Sequence, residues 1–322
     1  MPNVRPHRII LAALLACTAL LCEAVLAQSG KTVRLVSGVT PGSASDTVAR
    51  ILTEKLSSQL GQPVIVENRL GAGGVIAAAY VAKAEPDGNT IIVYTSAFTL
   101  AALINPGTLE AKDLAPVATL GTVPTVMVTS TSKPYKTLND LVAAARAKPE
   151  GIVAVSAGVG SSTHMNLERF RIAAGIKVLH VPTKGLNEAL TEVLTGRADF
   201  YFVPVYAVIG QVKEGKLRAL AMGSPARSSM MPGVPTTVEL GYPNSDYNFW
   251  IGALVSSKVP RETVLRLNRE FNTAVNAPDV RERYAKIGTD PLTMSVPEFE
   301  ALIARELEAN ARIVKEAGIK SN

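Results

Sequence analysis

Short runs of Val, Ile and Thr alternate along the chain with longer stretches in which apolar residues recur every three or four positions. Turn residues and a helix-like stretch follow each of the runs at 32–36, 63–67 and 90–95. The alternation resumes with the apolar runs at 152–156, 178–181, 199–203 and 217–222. It is typical of β-α-β units whose strands lie parallel in one sheet. We therefore predict an α/β protein with mainly parallel sheets flanked by helices.

Residues that start helices support this interpretation. Thr137 with Asp140, and Ser295 with Glu298, have the spacing of capping boxes. The last stretch, residues 260–319, has the pattern of two or three charged amphipathic helices, with Lys and Arg mixed among Glu. A solvated helical surface accounts for that mixture better than a nucleic-acid-binding patch does.

Two stretches have the properties of crossings between two units. Residues 117–129 form a long β-prone segment interrupted by Pro124, and residues 247–256 carry the single tryptophan, Trp250. If both cross, the C-terminal helices complete the N-terminal unit and the middle of the chain forms the second. The length of 322 residues allows two domains that each bury a core. The sequence thus predicts two lobes joined by two hinge crossings, around a cleft that closes on a ligand.

The predicted division of the chain follows from these crossings. Lobe 1 comprises residues 28–123 and 249–322, and lobe 2 comprises residues 124–248. Residues 1–27 precede both lobes and are predicted to be a signal peptide.

This N-terminal segment has the three parts of a secretory signal peptide. A basic head with Arg5 and Arg8 precedes an apolar run at 9–21, and small or aliphatic residues lead to Ala27. The apolar run is shorter than the ~20 residues of a bilayer span. We predict cleavage after Ala27 and export to the periplasm. An uncleaved anchor and a lipoprotein modified at Cys17 are the alternatives.

Composition excludes several kinds of chemistry once this segment is cleaved. Both cysteines, Cys17 and Cys22, lie inside it, so the exported chain would have no disulfide and no thiolate metal site. The formal net charge of +6 falls by one, and no concentrated basic run indicates nucleic acid. No later stretch reaches the ~18 apolar residues of a membrane span. We expect a soluble monomer without metal, cofactor or nucleic-acid partner.

Two glycine- and hydroxyl-rich loops follow predicted strands, at the edge where open parallel sheets bind ligands. Residues 40–46 join the first strand to its helix and offer backbone N–H groups to an anion. Ser43 and Asp46 also have capping-box spacing, so their oxygens would fix the loop on its own helix. Residues 156–164 are the counterpart in the second lobe. Their composition suits a carboxylate or phosphate but lacks the lysine of a P-loop; an ordinary glycine-rich turn is the alternative.

Signatures of catalysis are weak. Gly71-x-Gly73 follows a strand, but Ile76 stands where a dinucleotide-binding fingerprint needs its third glycine. The sequence contains no Gly-x-Ser-x-Gly elbow and no paired-histidine metal motif. We therefore predict a binding protein and not an enzyme. The alternative is an exported hydrolase in which His164 or His180, the imidazoles of the exported chain, partners a serine.

Many segments, in order along nearly the whole mature chain, resemble one known family. They are Pro41-Gly42 with Asp46 and Val48-Ala49-Arg50, Gly61-Gln62-Pro63-Val64, Val66-Glu67-Asn68-Arg69, Gly71-Ala72-Gly73-Gly74, Pro86-Asp87-Gly88, Ser156-Ala157-Gly158 with Gly160-Ser161 and His164, His180-Val181-Pro182 with Lys184-Gly185, Gly215-Lys216-Leu217-Arg218-Ala219-Leu220-Ala221 and Val234-Pro235-Thr236. On these residues the chain resembles the Bug-type periplasmic solute-binding receptors of tripartite tricarboxylate transporters.

The resemblance implies a two-lobed, type II-like periplasmic binding protein. Such a receptor traps a small carboxylate, here a di- or tricarboxylate, in its cleft and delivers it to the integral-membrane subunits of the transporter. Backbone N–H groups, hydroxyls and ordered water would hold the carboxylate. The ligand-binding residues implied in this sequence are Thr40, Gly42, Ser43, Asp46, Ser96, Phe98, Ser156, Gly158, Gly160, Ser161, Ser162, Thr163, Thr183 and Phe202. A sensory receptor that docks on a histidine kinase would have the same pocket.

The chain departs from the family pattern near the implied pocket. Ser43 stands where the family usually has a second glycine, and Thr183 replaces the tyrosine that is common before Lys-Gly. A small residue at position 183 beside Phe98, Phe202 and Trp250 leaves room for a bulky or aromatic acid. We therefore hypothesise that the bound solute is a bulky or aromatic acid.

Overall fold

The computed structural model describes residues 31–317. The predicted signal peptide, with Cys17 and the cleavage site after Ala27, lies outside the described residues. Within them, no helix combines the length and the apolar character that crossing a bilayer requires. Two five-stranded sheets, each flanked by helices, organise this part of the chain.

The strands and helices of the described residues alternate along most of the chain. The strands are β1 (Val33–Ser37), β2 (Val64–Asn68), β3 (Thr90–Thr95), β4 (Leu114–Thr122), β5 (Thr125–Ser130), β6 (Val153–Ser156), β7 (Leu179–Pro182), β8 (Phe200–Pro204), β9 (Leu217–Met222) and β10 (Trp250–Ser256). The helices are α1 (Ala44–Leu60), α2 (Val75–Ala82), α3 (Ala97–Ile104), α4 (Leu138–Ala147), α5 (Ser162–Ala174), α6 (Leu186–Leu194), α7 (Val205–Lys213), α8 (Arg261–Asn276), α9 (Pro278–Lys286) and α10 (Val296–Ala317). Short 3₁₀ turns occupy Ala72–Gly74 and Ala111–Asp113.

The first sheet has the strand order β2-β1-β3-β10-β4. β1 pairs in parallel with β2 and β3, whereas β10 lies antiparallel to both β3 and β4. Four strands of this sheet therefore point the same way, and their carboxyl ends meet at one edge. That edge carries the loops after β1, β2 and β3.

The second sheet repeats this topology in the order β7-β6-β8-β5-β9. β6 pairs in parallel with β7 and β8, and β5 lies antiparallel to β8 and β9. The reversed strand of each sheet is the first one after the chain arrives from the other sheet. The mainly parallel α/β architecture and the two-lobed, type II-like fold are thereby confirmed.

The two connections between the sheets lie side by side. The first is residues 123–124, between β4 and β5, and the second is residues 223–249, between β9 and β10. The backbone N–H of Val123 donates to the carbonyl of Phe249 at 2.9 Å. A hydrogen bond between the two connections keeps them at one place, which is the arrangement that a hinge needs.

Each sheet is buried between helices, with a separate apolar core on each of its faces. In the first lobe, Trp250 packs edge-on against Phe299 of α10, with ring centroids 5.1 Å apart. In the second, Phe170 of α5 meets Phe200 and Phe202 of β8 edge-on. The C-terminal helices therefore complete the lobe that the N-terminal strands begin, because α8, α9 and α10 pack on the first sheet.

Two of the predicted capping boxes form. Thr137 Oγ1 accepts the N–H of Asp140 while Asp140 accepts the N–H of Thr137. Ser295 and Glu298 exchange the same pair of hydrogen bonds before α10. The third predicted box, at the start of α1, does not form, because Ser43 makes no side-chain capping hydrogen bond.

Candidate functional site

A cavity of about 410 Å³ lies between the two lobes, at the carboxyl ends of strands from both sheets. One side is formed by the turn after β2 and by α3, and the other by the loop after β6. Its lining residues are Ala72, Gly73, Tyr94, Ala97, Leu100, Ala101, Ile104, Asn105, Ala157, Val159, Gly160 and Ser161. This is the position at which open α/β sheets bind ligands, and we call it the cleft cavity.

Asp46 fixes the loop after β1, but not in the predicted way. Ser43 makes no side-chain capping hydrogen bond, so the Ser43–Asp46 capping box was wrong. Asp46 Oδ2 instead accepts the N–H of Gly42 at 2.8 Å, and both carboxylate oxygens accept from Arg50 at 2.9 and 3.1 Å. Asn68 at the end of β2 donates to Oδ1 at 2.8 Å. Asp46 therefore ties the loop to the next strand and has no oxygen left for a ligand.

The charge of Asp46 is maintained by these partners. Burial alone would raise the pKa of Asp46, but the hydrogen bonds from Arg50, Gly42 and Asn68 outweigh burial and bring the pKa below its usual value. The side chain is fully buried, whereas Arg50 is half exposed. Paired with Arg50 and hydrogen-bonded to Gly42 and Asn68, Asp46 stabilises the loop after β1.

The start of α1 nevertheless offers donors. Ser43 Oγ is buried and has no hydrogen-bond partner among the described residues. The N–H groups of Ala44 and Ser45, in the first turn, likewise have no acceptor within residues 31–317. A helix start with unpaired N–H groups attracts negative charge. Thr40 is exposed beside this turn, and its carbonyl accepts the N–H of Ser43.

The loop after β6 is held mainly by its own hydrogen bonds. Thr163 Oγ1 accepts the N–H of Ala157, Ser156 Oγ accepts that of Gly158, and His164 Nδ1 accepts that of Gly160. Ser161 caps α5 by accepting the N–H of His164. Most N–H groups expected to grip a carboxylate are therefore engaged inside the loop.

The donors that remain in this loop are at the start of α5. The N–H groups of Ser162 and Thr163 have no acceptor within the described part of the chain. Both side chains are nearly buried, which keeps water from competing with an acceptor placed there. The loop thus presents a short, pre-ordered pair of N–H groups and not the broad cradle that the sequence suggested.

Two histidines, His164 and His180, make hydrogen bonds that hold this loop. His164 Nδ1 accepts the Gly160 N–H at 3.1 Å, and His180 Nε2 lies 2.8 Å from Ser156 Oγ. Burial, followed by the charges of His180 and Arg171, lowers the pKa of His164 to about 3. Burial also lowers the pKa of His180, although Glu168 opposes the shift. Both rings are therefore neutral near pH 7, as a Nδ1 acceptor must be.

Other residues predicted to bind the ligand are buried in the lobe cores or make hydrogen bonds within the fold. Phe98 and Phe202 are about 1% exposed and belong to the cores of their lobes, so they do not line the cleft cavity. Trp250, which the aromatic-acid hypothesis invoked, is likewise in a core. Thr183 Oγ1 donates to the carbonyl of Ser156, at the end of β6, and to that of Gly185 in its own turn.

Ser96 differs from these, because its buried side chain lies close to the buried hydroxyl of Tyr247, in the second connection between the sheets. Ser162, at the start of α5, lies close to the same hydroxyl. Among the predicted ligand residues, Gly160 and Ser161 line the cleft cavity itself.

The apolar side of the cleft cavity escaped the sequence analysis. Leu100, Ala101 and Ile104 follow Ala97 at helical spacing, which indicates one face of a helix but not which neighbour that face meets. Val159 stands inside the glycine-rich loop, whose hydroxyl residues indicate anion binding and not an apolar contact. The only signal in the sequence was Val159 itself, an aliphatic residue in a loop of small ones.

A second, larger cavity of about 710 Å³ lies between α5, α10 and the second connection. Arg169, Glu306 and Arg312 are among its lining residues, and no part of the two predicted loops reaches it. Within residues 31–317 no group of three or more His, Cys, Asp or Glu side chains is placed to hold a metal ion. The cleft cavity is therefore the candidate site, because it lies at strand ends of both lobes and is lined by Ala157, Gly160 and Ser161 of the loop after β6.

Comparison with known proteins agrees with this geometry. The family described as "Tripartite tricarboxylate transporter family receptor" matches residues 48–319. The chain belongs to this family. It is a solute-binding receptor of the Bug type and not an enzyme. The resemblance found in the sequence is thus confirmed.

Individual relatives cover nearly the whole of this receptor. The protein BugT of Bordetella pertussis (strain Tohama I) is 33% identical over 296 residues, which are 90% of each chain. A structure of an R. palustris protein with adipate is 28% identical, with a TM-score of 0.76, over 90% of this chain and 98% of that one. The MatC protein of Rhodopseudomonas palustris, with bound malate, is also 28% identical, with a TM-score of 0.73, over 88% and 98%.

Proposed function

We propose that this receptor captures a small carboxylate in the cleft cavity and delivers it to the integral-membrane subunits of a tripartite tricarboxylate transporter. The observation that carries the proposal is that each lobe has a helix start with unpaired N–H groups directly after a strand, at the edge where open α/β sheets bind ligands. Ala44 and Ser45 begin α1 in one lobe, and Ser162 and Thr163 begin α5 in the other. Oriented N–H groups bind an oxyanion without an ion pair.

The relatives support a carboxylate as the ligand. Two structures that share 28% identity with this chain contain adipate and malate, which are both dicarboxylates. No positively charged side chain of the described residues lines the cleft cavity. Recognition would then depend on helix N–H groups and hydroxyls and not on an ion pair.

We propose that the lobes are residues 28–123 with 249–322, and residues 124–248. The hydrogen bond between Val123 and Phe249 lies at the boundary and supports a hinge there. Closure about that hinge would bring the two helix starts onto the same carboxylate. The export route follows the sequence: we propose a cleaved signal peptide, a periplasmic location and a monomeric receptor.

A thermal-shift screen tests the proposal. The purified protein is heated with aliphatic and aromatic mono-, di- and tricarboxylates, and each acid is paired with its uncharged amide as a control. A ligand at about 100 times its Kd adds about 2.7 kcal/mol to the free energy of unfolding. We expect the melting temperature to rise with at least one acid and with no amide. Stabilisation by no carboxylate at all would overturn the proposed function.

A further inference from the structure

A buried tyrosine hydroxyl lies between the starts of two helices, one from each lobe. Tyr247, in the connection between β9 and β10, is fully buried. Its hydroxyl lies close to Ser96, which directly precedes α3 in the first lobe, and to Ser162, which begins α5 in the second. Ser96 is fully buried and Ser162 is 7% exposed. We call these three residues the hydroxyl cluster.

The hydroxyl cluster adjoins the cleft cavity through the chain neighbours of both serines. Ala97 follows Ser96 and lines the cavity from the first lobe, whereas Ser161 precedes Ser162 and lines it from the second. The N–H of Ser162 is also one of the two donors at the start of α5 that have no acceptor within residues 31–317. A displacement at the hydroxyl cluster would therefore move groups that border the ligand.

The rest of Tyr247 is fixed between the lobes. Its N–H donates to the Gly223 carbonyl at 2.8 Å, and the guanidinium of Arg169 lies over its ring, 5.0 Å from the centroid. The ring packs in an apolar cluster with Leu100 of α3 and Met165 of α5. The hydroxyl therefore keeps its place, and both serines reach it together only when α3 and α5 lie as they do here.

We propose, on the basis of the proposed function, that Tyr247 is a positioning residue for solute binding, whose hydroxyl holds the starts of α3 and α5 together when the lobes are closed. Tyr247 itself does not line the cleft cavity. It lies two positions before Phe249, which accepts the hydrogen bond of the hinge, so it links the hinge to the two serines.

Titration calorimetry on Tyr247→Phe tests this inference, with malate, adipate, citrate and benzoate as the probes. Phenylalanine keeps the ring in its apolar cluster and removes only the hydroxyl. Ser96 and Ser162 would then be buried without this neighbour in the closed arrangement, whereas water would solvate them in an open cleft. We expect the affinity for each acid that the wild type binds to fall about fivefold to fiftyfold. Unchanged affinity would overturn the inference, and binding of none of the four acids by the wild type would overturn the proposed function on which it rests.

Tyr284→Phe is the matched control. Tyr284 is a buried tyrosine of α9 in a core of the first lobe, and its hydroxyl has no partner among the described residues. Removal of this hydroxyl should leave the affinity for the same acids unchanged. An equal loss of affinity in both variants would overturn the inference, because the loss would then not depend on the hydroxyl cluster.

Two further measurements separate positioning from a general structural role. Because the hydroxyl acts in the closed arrangement, Tyr247→Phe should raise the dissociation rate constant, followed by stopped-flow tryptophan fluorescence, and leave the association rate constant near that of the wild type. Tyr247→Phe combined with Ser96→Ala should lower the affinity no further than the more damaging of the two single substitutions. Additive losses, or a loss confined to association, would overturn the positioning role.

Discussion

The imidazole rings of His164 and His180 stack face to face, with centroids 4.3 Å apart and planes inclined by 10°. Each ring supports the loop after β6, and a proton on either would place charge against its neighbour. A protonated His164 would also turn Nδ1 from an acceptor into a donor that opposes the Gly160 N–H. The loop that carries the start of α5 thus depends on two neutral histidines.

The first prediction concerns acid. The folded protein holds the pKa of His164 near 3, against an ordinary value of 6.5, so the unfolded chain binds the proton first as the pH falls. This contribution to stability is complete above about pH 6.5 and is lost from there down to about pH 3, by up to ~1.4 kcal/mol per pH unit. Urea denaturation of the wild type between pH 7 and 4.5 should show this decline.

His164→Asn is the matched variant, because Asn Oδ1 can accept the Gly160 N–H but does not titrate. The difference in free energy of unfolding between wild type and variant should shrink as the pH falls from 7 to 4.5. A difference that stays constant over this range would show that His164 is already protonated in the fold or exposed to water.

The second prediction concerns Asp46, which fixes the loop after β1. Asp46→Asn places an amide where Oδ1 and Oδ2 receive bonds from Gly42, Arg50 and Asn68. One of these donors would then face another donor, and we expect a loss of about 1–3 kcal/mol of stability at pH 7. The carboxylate stabilises the fold above its ordinary pKa of 3.8 and loses that effect as the pH falls through its lower folded value.

Asp279→Asn is the control for this change. Asp279 pairs with Lys55 at 3.4 Å and is 63% exposed, so its loss should cost less than about 1 kcal/mol. We also expect Asp46→Asn to weaken carboxylate binding, measured by calorimetry, through the displaced loop. If Asp46→Asn lowers the stability but leaves the carboxylate affinity unchanged, the loop that Asp46 holds does not contribute to binding.

The third prediction removes a single N–H. Ala44 is the first residue of α1 and follows Ser43, whose φ of −67° and ψ of 164° suit a residue before proline. Ala44→Pro therefore keeps the helix and deletes one unpaired donor. We expect carboxylate affinity to fall about fivefold to fiftyfold, by the worth of one charge-assisted hydrogen bond. Arg261→Pro, at the first position of α8 behind Pro260, should leave the affinity unchanged.

How much of this site the sequence could predict depends on the distance between partners. The loops after β1 and β6 were found because strand ends are marked by local glycines and hydroxyls. The role of Asp46 was not, because Ser43 has the spacing of a capping box with Asp46, whereas the carboxylate bonds to Gly42, Arg50 and Asn68. Asn68 is 22 positions away, and no local pattern indicates that contact.

The faces of α3 show a second limit. Phe98 and Leu100 are both buried and stand two positions apart, yet Phe98 packs in the core of its own lobe, whereas Leu100 packs in a cluster with Met165 of the opposite lobe, beside the cleft cavity. Helical periodicity separates a polar face from an apolar one. It does not separate two apolar faces, of which one meets its own sheet and the other meets the loop of the opposite lobe.

The fourth prediction concerns the start of the second connection. Gly223 donates to the Thr125 carbonyl and accepts from Asn166 and Tyr247. A Cβ there would lie 2.7 Å from Phe202 Cδ1 and closer still to Asn166 Oδ1. Gly223→Ala should therefore lower the free energy of unfolding by about 1–3 kcal/mol, through overpacking.

Gly210→Ala provides the opposite case for this comparison. Gly210 lies inside α7, and a Cβ there meets no atom within 4 Å. Alanine should raise stability by about 0.5–1 kcal/mol, because glycine is a poor helix former. Equal effects of the two substitutions in urea denaturation would contradict the packing argument.

The last prediction concerns Glu306, a carboxyl group buried in α10. It accepts the indole N–H of Trp250 at 3.0 Å and lies beside Thr99. Burial raises its pKa to about 7, although the charge of Arg169 and the hydrogen bonds from Trp250 and Thr99 oppose the shift. The folded state therefore keeps the proton longer than the unfolded chain does. Its contribution to stability is complete below about pH 4.5 and is lost as the pH rises through about 7.

Glu306→Gln keeps an acceptor for Trp250 and removes the charge. We expect the variant to be about 2 kcal/mol more stable than the wild type at pH 8 and close to it at pH 5. Glu308→Gln, on the exposed side of the same helix, should show no such pH dependence. Trp250 is the only tryptophan, so its fluorescence reports this pair directly. The wild-type emission should change with a midpoint near pH 7. If Glu306→Gln is instead less stable than the wild type at pH 8, Arg169 stabilises the charged form of Glu306.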